Sequence, residues 1–167
     1  ILKMLQNNEF IEYTEEIGYY LTSKGIIASN IHECHCLILG DFIYSGKLDD
    51  LSCKELVSFF SCFTNITIIE DYKRNYIENK DNISKVRKCI NEYEELFELY
   101  LDFEESNYLD TGCKKEIHYD LIFEILEWCD CNDEGECISI TNKLEERGIF
   151  LGEFVKAILS INNIVNE

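Results

Sequence analysis

Residues 19–63 read YYLTSKGIIASNIHECHCLILGDFIYSGKLDDLSCKELVSFFSCF, and this stretch spells three helices in succession. Thr22 precedes a helix running to about Asn30, where its hydroxyl can accept a backbone N–H of the first turn; Gly25 sits inside that helix as a mild defect. The apolar run Cys36 to Tyr44 ends at Ser45-Gly46, and a glycine there suits a left-handed C-cap. Ser52-Cys53-Lys54-Glu55 forms a capping box, in which Ser52 accepts the Glu55 amide while Glu55 reaches back. Leu56, Phe59, Phe60 and Phe63 then share one helical face.

Upstream, Leu2 to Asn8 reads as a short helix. Phe10-Ile11 and Tyr19-Tyr20-Leu21 form an extended pair around the polar turn Thr14-Glu15-Glu16. Downstream, residues 65–81 lose the helical period and read as a loop or weak helix. The period returns from Ile83 through Val86, Ile90, Tyr93, Phe97 and Tyr100-Leu101, a long amphipathic helix with charges outside. After a break around Gly112, Leu121, Ile122, Ile125, Leu126 and Cys129 make another stripe beside Trp128, which reads as core. Asp130 to Gly135 reads as a polar turn, Ile138 to Leu144 as a short helix, and Phe154 to Val165 as the last helix. The expected fold is mainly α, a helical bundle with a short extended hairpin near the N-terminus. Its 167 residues suit one domain spanning 1–167, with weak internal breaks at 65–81 and 106–117.

Composition narrows the function. The chain carries 33 acidic and 15 basic residues, a net charge of -18. Nucleic-acid affinity comes mostly from cations that neutralise phosphates, so a free-standing nucleic-acid-binding module is disfavoured. No window supplies the roughly 18 apolar residues of a membrane span. The start, Ile1-Leu2-Lys3-Met4, lacks the features of a signal peptide, and a first residue other than Met suggests excision from a longer chain. Nine Cys without a leader read as reduced thiols of an intracellular protein, nuclear or cytoplasmic. The absence of Pro and the wealth of Ile, Asn, Lys, Glu and Tyr fit an AT-rich genome, such as that of a large DNA virus or a protist; a viral source would extend the location to virion or host cytoplasm.

Chemistry-bearing motifs are sparse. Neither a GxxxxGK[ST] loop nor a glycine-rich dinucleotide turn is present, so ATP binding by this chain is not expected. The doublets Asp49-Asp50, Glu94-Glu95, Glu104-Glu105 and Glu145-Glu146 read as solvated faces, because adjacent helical residues point apart. His32, Cys34, His35 and Cys36 crowd one segment, and Cys129, Cys131 and Cys137 another. Neither has the paired CxxC spacing of a zinc site, and both read as ordinary thiols. No catalytic residue and no metal ligand is assigned.

Several ordered strings resemble one family. Tyr20-Leu21-Thr22-Ser23-Lys24-Gly25, followed by Ile26-Ile27-Ala28, resembles the "LT-x-KG-x-x-A" opening of the DSHCT domain, which closes superkiller-type, exosome-associated DExH-box RNA helicases. Leu39-Gly40-Asp41-Phe42-Ile43-Tyr44-Ser45-Gly46 is similar to its "LTE-[LM]-[IM]-F-[SN]-G". Asp50-Leu51-Ser52 and Ser61-Cys62-Phe63 are similar to "NDLS" and "LLSCF". Tyr119 to Cys129 resembles a helix ending "VVYAWC", and Phe150 to Lys156 resembles "DIFEGS-[IF]-[IV]-R". Asn30, His35, Cys36, Leu159 and Ser160 depart from the family pattern, and the family's further terminal helices have no counterpart here.

The resemblance implies a ratchet-like bundle that packs on two RecA-like domains and lines the exit path of single-stranded RNA. ATP and Mg2+ would belong to those RecA-like domains of the parent helicase, and exosome-type proteins would be further partners. Within this chain the implied RNA contacts are Lys156, Ser160 and Asn163, one helical turn apart on the last helix. The competing expectation is an acidic helical protein-interaction module that has lost RNA contact.

Overall fold

The computed structural model describes residues 1–77, 81–109 and 117–167. In chain order they form α1 (Leu2–Asn7), β1 (Ile11–Thr14), β2 (Gly18–Leu21), α2 (Ser23–Ser29), α3 (Cys36–Tyr44), α4 (Cys53–Phe60), α5 (Ser84–Ser106), α6 (Ile122–Cys129), α7 (Glu134–Glu146) and α8 (Leu151–Asn166). The chain is therefore mainly α, with one antiparallel hairpin near the N-terminus, and the described residues cluster into two compact units. Most of the break expected at 106–117, Gly112 included, lies outside the described residues.

The first unit holds α1, the hairpin, α2, α3 and α5 from Tyr93 onward. The strands pair Ile11 with Leu21 and Tyr13 with Tyr19. Gly18 turns the chain at φ +80°, a left-handed conformation that costs glycine little. Thr22 caps α2 as its sequence promised, accepting the Gly25 N–H at 3.0 Å while its hydroxyl donates to the Glu9 carbonyl at 2.6 Å. Phe10, Ile38, Leu39, Phe42, Tyr93 and Phe97 are buried together in this unit's core.

Gly25 is no defect. A Cβ there would lie 2.0 Å from the Phe10 carbonyl oxygen, so the glycine lets α2 rest on the backbone leading into β1. Gly40 plays the same part between helices, since a Cβ would come 2.8 Å from the Ala28 Cβ and bring α2 and α3 into collision. Lys24 is buried, pairs with Asp41 at 2.6 Å and lies 4.5 Å over the Phe10 ring. Motif residues of the 20–41 stretch thus join the hairpin to two helices. They are packing residues.

The second unit holds α4, the first part of α5, α6, α7 and α8 up to Asn166. The capping box of α4 is present, with the Ser52 N–H donating to Glu55 at 2.8 Å. Residues 65–77 run as a loop containing a single 3-10 turn at Glu70–Tyr72. Phe59, Ile83, Ile122, Ile125, Leu144 and Phe154 are fully or almost fully buried. Trp128 packs edge-on against Phe154 with ring centroids 5.1 Å apart, a core contact as its position in the stripe implied. Helix α7 begins earlier than the apolar pattern suggested. Asp133 caps it through the Glu136 N–H, and Glu134 and Glu136 occupy the first turn, where carboxylates favour the helix dipole.

The polar anchor of this unit joins residues 50 apart, which no local sequence pattern announces. Glu124 accepts both guanidinium arms of Arg74 at 2.8 and 2.9 Å and also accepts from Arg147. Asp120, nearly fully buried, accepts the Arg74 N–H at 2.7 Å, and its carbonyl accepts from both arginines. Two cations and two carboxylates cancel in a little-hydrated place; the Glu124 carboxylate accepts three hydrogen bonds and that of Asp120 one. The cluster pins the 65–77 loop to α6 and to the end of α7.

Candidate RNA-facing helix

Helix α8 turns Phe154, Ala157, Ile161 and Ile164 into the core of its unit. At roughly 100° per residue, Lys156, Ser160 and Asn163 project within a sector of about 60° that flanks this buried face. Lys156 and Asn163 are exposed and Ser160 is half-buried, so the three residues implied by the resemblance do line up. Lys156 is not wholly free: its Nζ lies 3.8 Å from Glu153. That carboxylate also accepts the Thr67 N–H at 2.8 Å, which, with Lys156, holds its pKa below the usual value.

Beside this polar row runs a second one. Leu151, Val155 and Leu159, spaced i, i+4, i+8, are 50%, 48% and 60% exposed. The sequence held the signal, because α8 has more apolar residues than one buried face needs. Phe150 is also exposed, at the edge of a shallow cavity of about 380 Å3 lined by Ile69, Gly148, Gly152 and Glu153. The helix therefore offers an ammonium, a hydroxyl, an amide and an apolar ridge. Such a surface can guide and contact a ligand; it holds no nucleophile paired with a base.

In the first Cys/His segment both histidines are taken up by local structure. His35 is the N-cap of α3, its Nδ1 accepting the Ile38 N–H at 3.3 Å. His32 donates its backbone N–H to Glu167 at 3.1 Å. Burial, then the nearby Glu167 and Glu33, push the Cys34 thiol up to about 12. Among the described residues, no three His, Cys, Asp or Glu side chains are placed to hold a metal ion. Of the acidic doublets, Glu104 departs from the solvated reading, for it is buried where α5 ends.

The His35 cap is pH-sensitive. Burial holds its imidazole below the ordinary 6.5, against a smaller upward pull from Glu104. The unfolded chain thus takes up a proton at this site before the folded chain does, and stability falls as pH drops below about 6.5. His35→Asn keeps a capping acceptor without the titration, so urea midpoints at pH 7 and pH 5 should lie closer together in the variant. An equal gap in both proteins would contradict this origin of the slope.

No single helix among the described residues is long and apolar enough to cross a membrane. A comparison with curated proteins gave no significant match. The family model of the DSHCT (NUC185) domain, by contrast, matches residues 18–167, from the second strand of the hairpin through α8. With the Thr22, Lys24, Gly25 and Gly40 packing that this stretch builds, the chain belongs to the DSHCT domain family, whose domains are found in DExH-box RNA helicases.

Proposed function

We propose that this chain is the helical C-terminal domain of an ATP-dependent RNA helicase and that α8 borders the path by which single-stranded RNA leaves. The observation that carries the reading is the alignment of exposed Lys156 and Asn163 with half-buried Ser160 along one sector of α8, in a chain matched to the family from residue 18 onward. Hydrolysis belongs to RecA-like domains of the same polypeptide. ATP and Mg2+ are assigned there, since no phosphate-loop motif occurs in this sequence. The contribution of α8 is shape, an amide and hydroxyl for the sugar-phosphate backbone, and one cation, with the Leu151–Val155–Leu159 ridge available to base faces.

The net charge of -18 sets the scale of that contact. One ammonium partly neutralised by Glu153 cannot hold RNA against such a field, so contact depends on cations of the neighbouring domains. In a helicase polypeptide bearing this domain, Lys156→Glu combined with Asn163→Asp should weaken single-stranded RNA binding several-fold. The salt dependence of binding should fall by about one counterion for the lost cation. Unchanged binding and unwinding would remove α8 from the RNA path.

A second reading has its own support. The exposed ridge of α8 and the acidic surface suit a protein partner whose apolar residues are flanked by Lys or Arg. In that case placing charge on the ridge, as in Val155→Asp with Leu159→Asp, would abolish partner binding while leaving RNA affinity intact.

A further inference from the structure

We propose that the outer edge of strand β2 is a docking site for an extended segment of a partner protein, one in which basic and apolar residues alternate, added to the hairpin as a third strand. The ladder decides which groups can receive it. The Thr22 N–H donates to the Phe10 carbonyl at 3.1 Å, so the pairs that exchange hydrogen bonds follow at every second residue, Glu12 with Tyr20 and Thr14 with Gly18. Ile11–Leu21 and Tyr13–Tyr19 are the pairs between them, whose N–H and C=O groups point outward from the hairpin. Side chains approach closely at such pairs, and the Tyr13 and Tyr19 ring centroids are 5.0 Å apart.

The two edges differ. On β1 the Ile11 side chain is buried and α1 packs on the strand. On β2 both Tyr19 and Leu21 are exposed, and among the described residues no backbone hydrogen bond outside the ladder uses either of them. Two N–H donors and two C=O acceptors therefore line this edge, the groups that strand addition uses.

Charge selects the occupant. Glu9, Glu12, Glu15 and Glu16 are exposed on or beside the hairpin, and no Lys or Arg occurs from Met4 to Ser23. The next cation, Lys24, is buried against Asp41. Tyrosine rings suit stacked bases, but four carboxylates without a cation repel the phosphates of RNA. A second copy of this chain would bring the same four carboxylates to the joint. A basic strand fits instead. Successive side chains of a strand face opposite ways, so its apolar residues extend the face of Tyr13, Tyr19 and Leu21. Its Lys or Arg residues then share the opposite face with Glu12, which accepts the Tyr20 hydroxyl there. This surface lies in the first unit and does not depend on the reading of α8.

The probe is the peptide Arg-Val-Arg-Val-Arg-Val-Arg, titrated against the full 167-residue chain by fluorescence anisotropy, with amide exchange read residue by residue. Two N-methylated forms, one at every valine and one at every internal arginine, each block one edge of the peptide. One form should bind about tenfold or more weakly and the other like the parent, because only one edge meets β2. The Tyr19 and Leu21 amides should gain protection from exchange. Tyr19→Pro removes an outward N–H and should weaken binding, as should Glu15→Lys with Glu16→Lys, which leaves both strands untouched. No measurable binding, equal behaviour of the two methylated forms, or protection only outside the hairpin would overturn the proposal. Unaltered affinity in Glu15→Lys with Glu16→Lys, or equal binding of Glu-Val-Glu-Val-Glu-Val-Glu, would do the same. So would protection of these amides by oligouridylate or by self-association of the chain.

Discussion

Glu124→Ala is expected to lower the unfolding free energy by about 3 kcal/mol, near the bottom of the range for removing one partner of a buried ion pair. The side chain of Glu124 is 10% exposed and those of Arg74 and Arg147 are 21% exposed. Removing the carboxylate strands two guanidinium groups where water reaches them only in part. Arg147 already has one buried Nη2 without a hydrogen-bond partner, so it has little room to compensate. That partial exposure is why the lower end of the range is chosen. For a chain of this size the change corresponds to a fall in melting temperature of roughly 6–12 °C. Urea unfolding followed by circular dichroism checks it, with the exposed Glu145→Ala as the control. A loss below about 1 kcal/mol in Glu124→Ala would mean that the cluster is not the anchor of its unit.

Gly25→Ala should be at least as damaging, although a propensity scale alone predicts the opposite. Alanine favours a helix interior over glycine by about 1 kcal/mol. Against that gain stands a Cβ placed 2.0 Å from the Phe10 carbonyl oxygen and 3.1 Å from the Leu21 side chain. A carbonyl held from two sides cannot simply move. It accepts the Thr22 N–H at 3.1 Å and the Thr22 hydroxyl at 3.2 Å, so displacing it also loosens the cap of α2. Overpacking costs about 1–3 kcal/mol even where side chains can yield, and here the obstacle is backbone. A net loss of about 3 kcal/mol is expected from thermal unfolding. A neutral or stabilised variant would show that α2 does not rest on the hairpin as described.

These two positions mark where sequence reading succeeds and where it stops. The caps at Thr22 and Ser52, the helix at Cys36–Tyr44 with its left-handed Gly46, and the long stripe of α5 were legible because their signals lie within one or two helical turns. The start of α7 was missed because an acidic first turn looks like a polar turn until Asp133 is seen to cap it. Gly25 was legible as a glycine in a helix; the carbonyl it accommodates belongs to a residue in another element. The ionic cluster joins Arg74 to Glu124 across 50 residues, and no local pattern announces such a pair. At the candidate site, spacing sufficed to align Lys156, Ser160 and Asn163. The Glu153 contact also lay one turn away in sequence, whereas its tie to Thr67 spans 86 residues.

The motif residues that identify the family are thus chiefly packing residues, and they leave the RNA path to be tested on α8. The most direct measurement is photo-crosslinking of 4-thiouridine-substituted single-stranded RNA to a helicase polypeptide carrying this domain, followed by peptide mapping. Crosslinks are expected within Leu151–Asn166, weakened by Lys156→Glu with Asn163→Asp. Crosslinks confined to the RecA-like domains, with the α8 peptide unmodified, would contradict it.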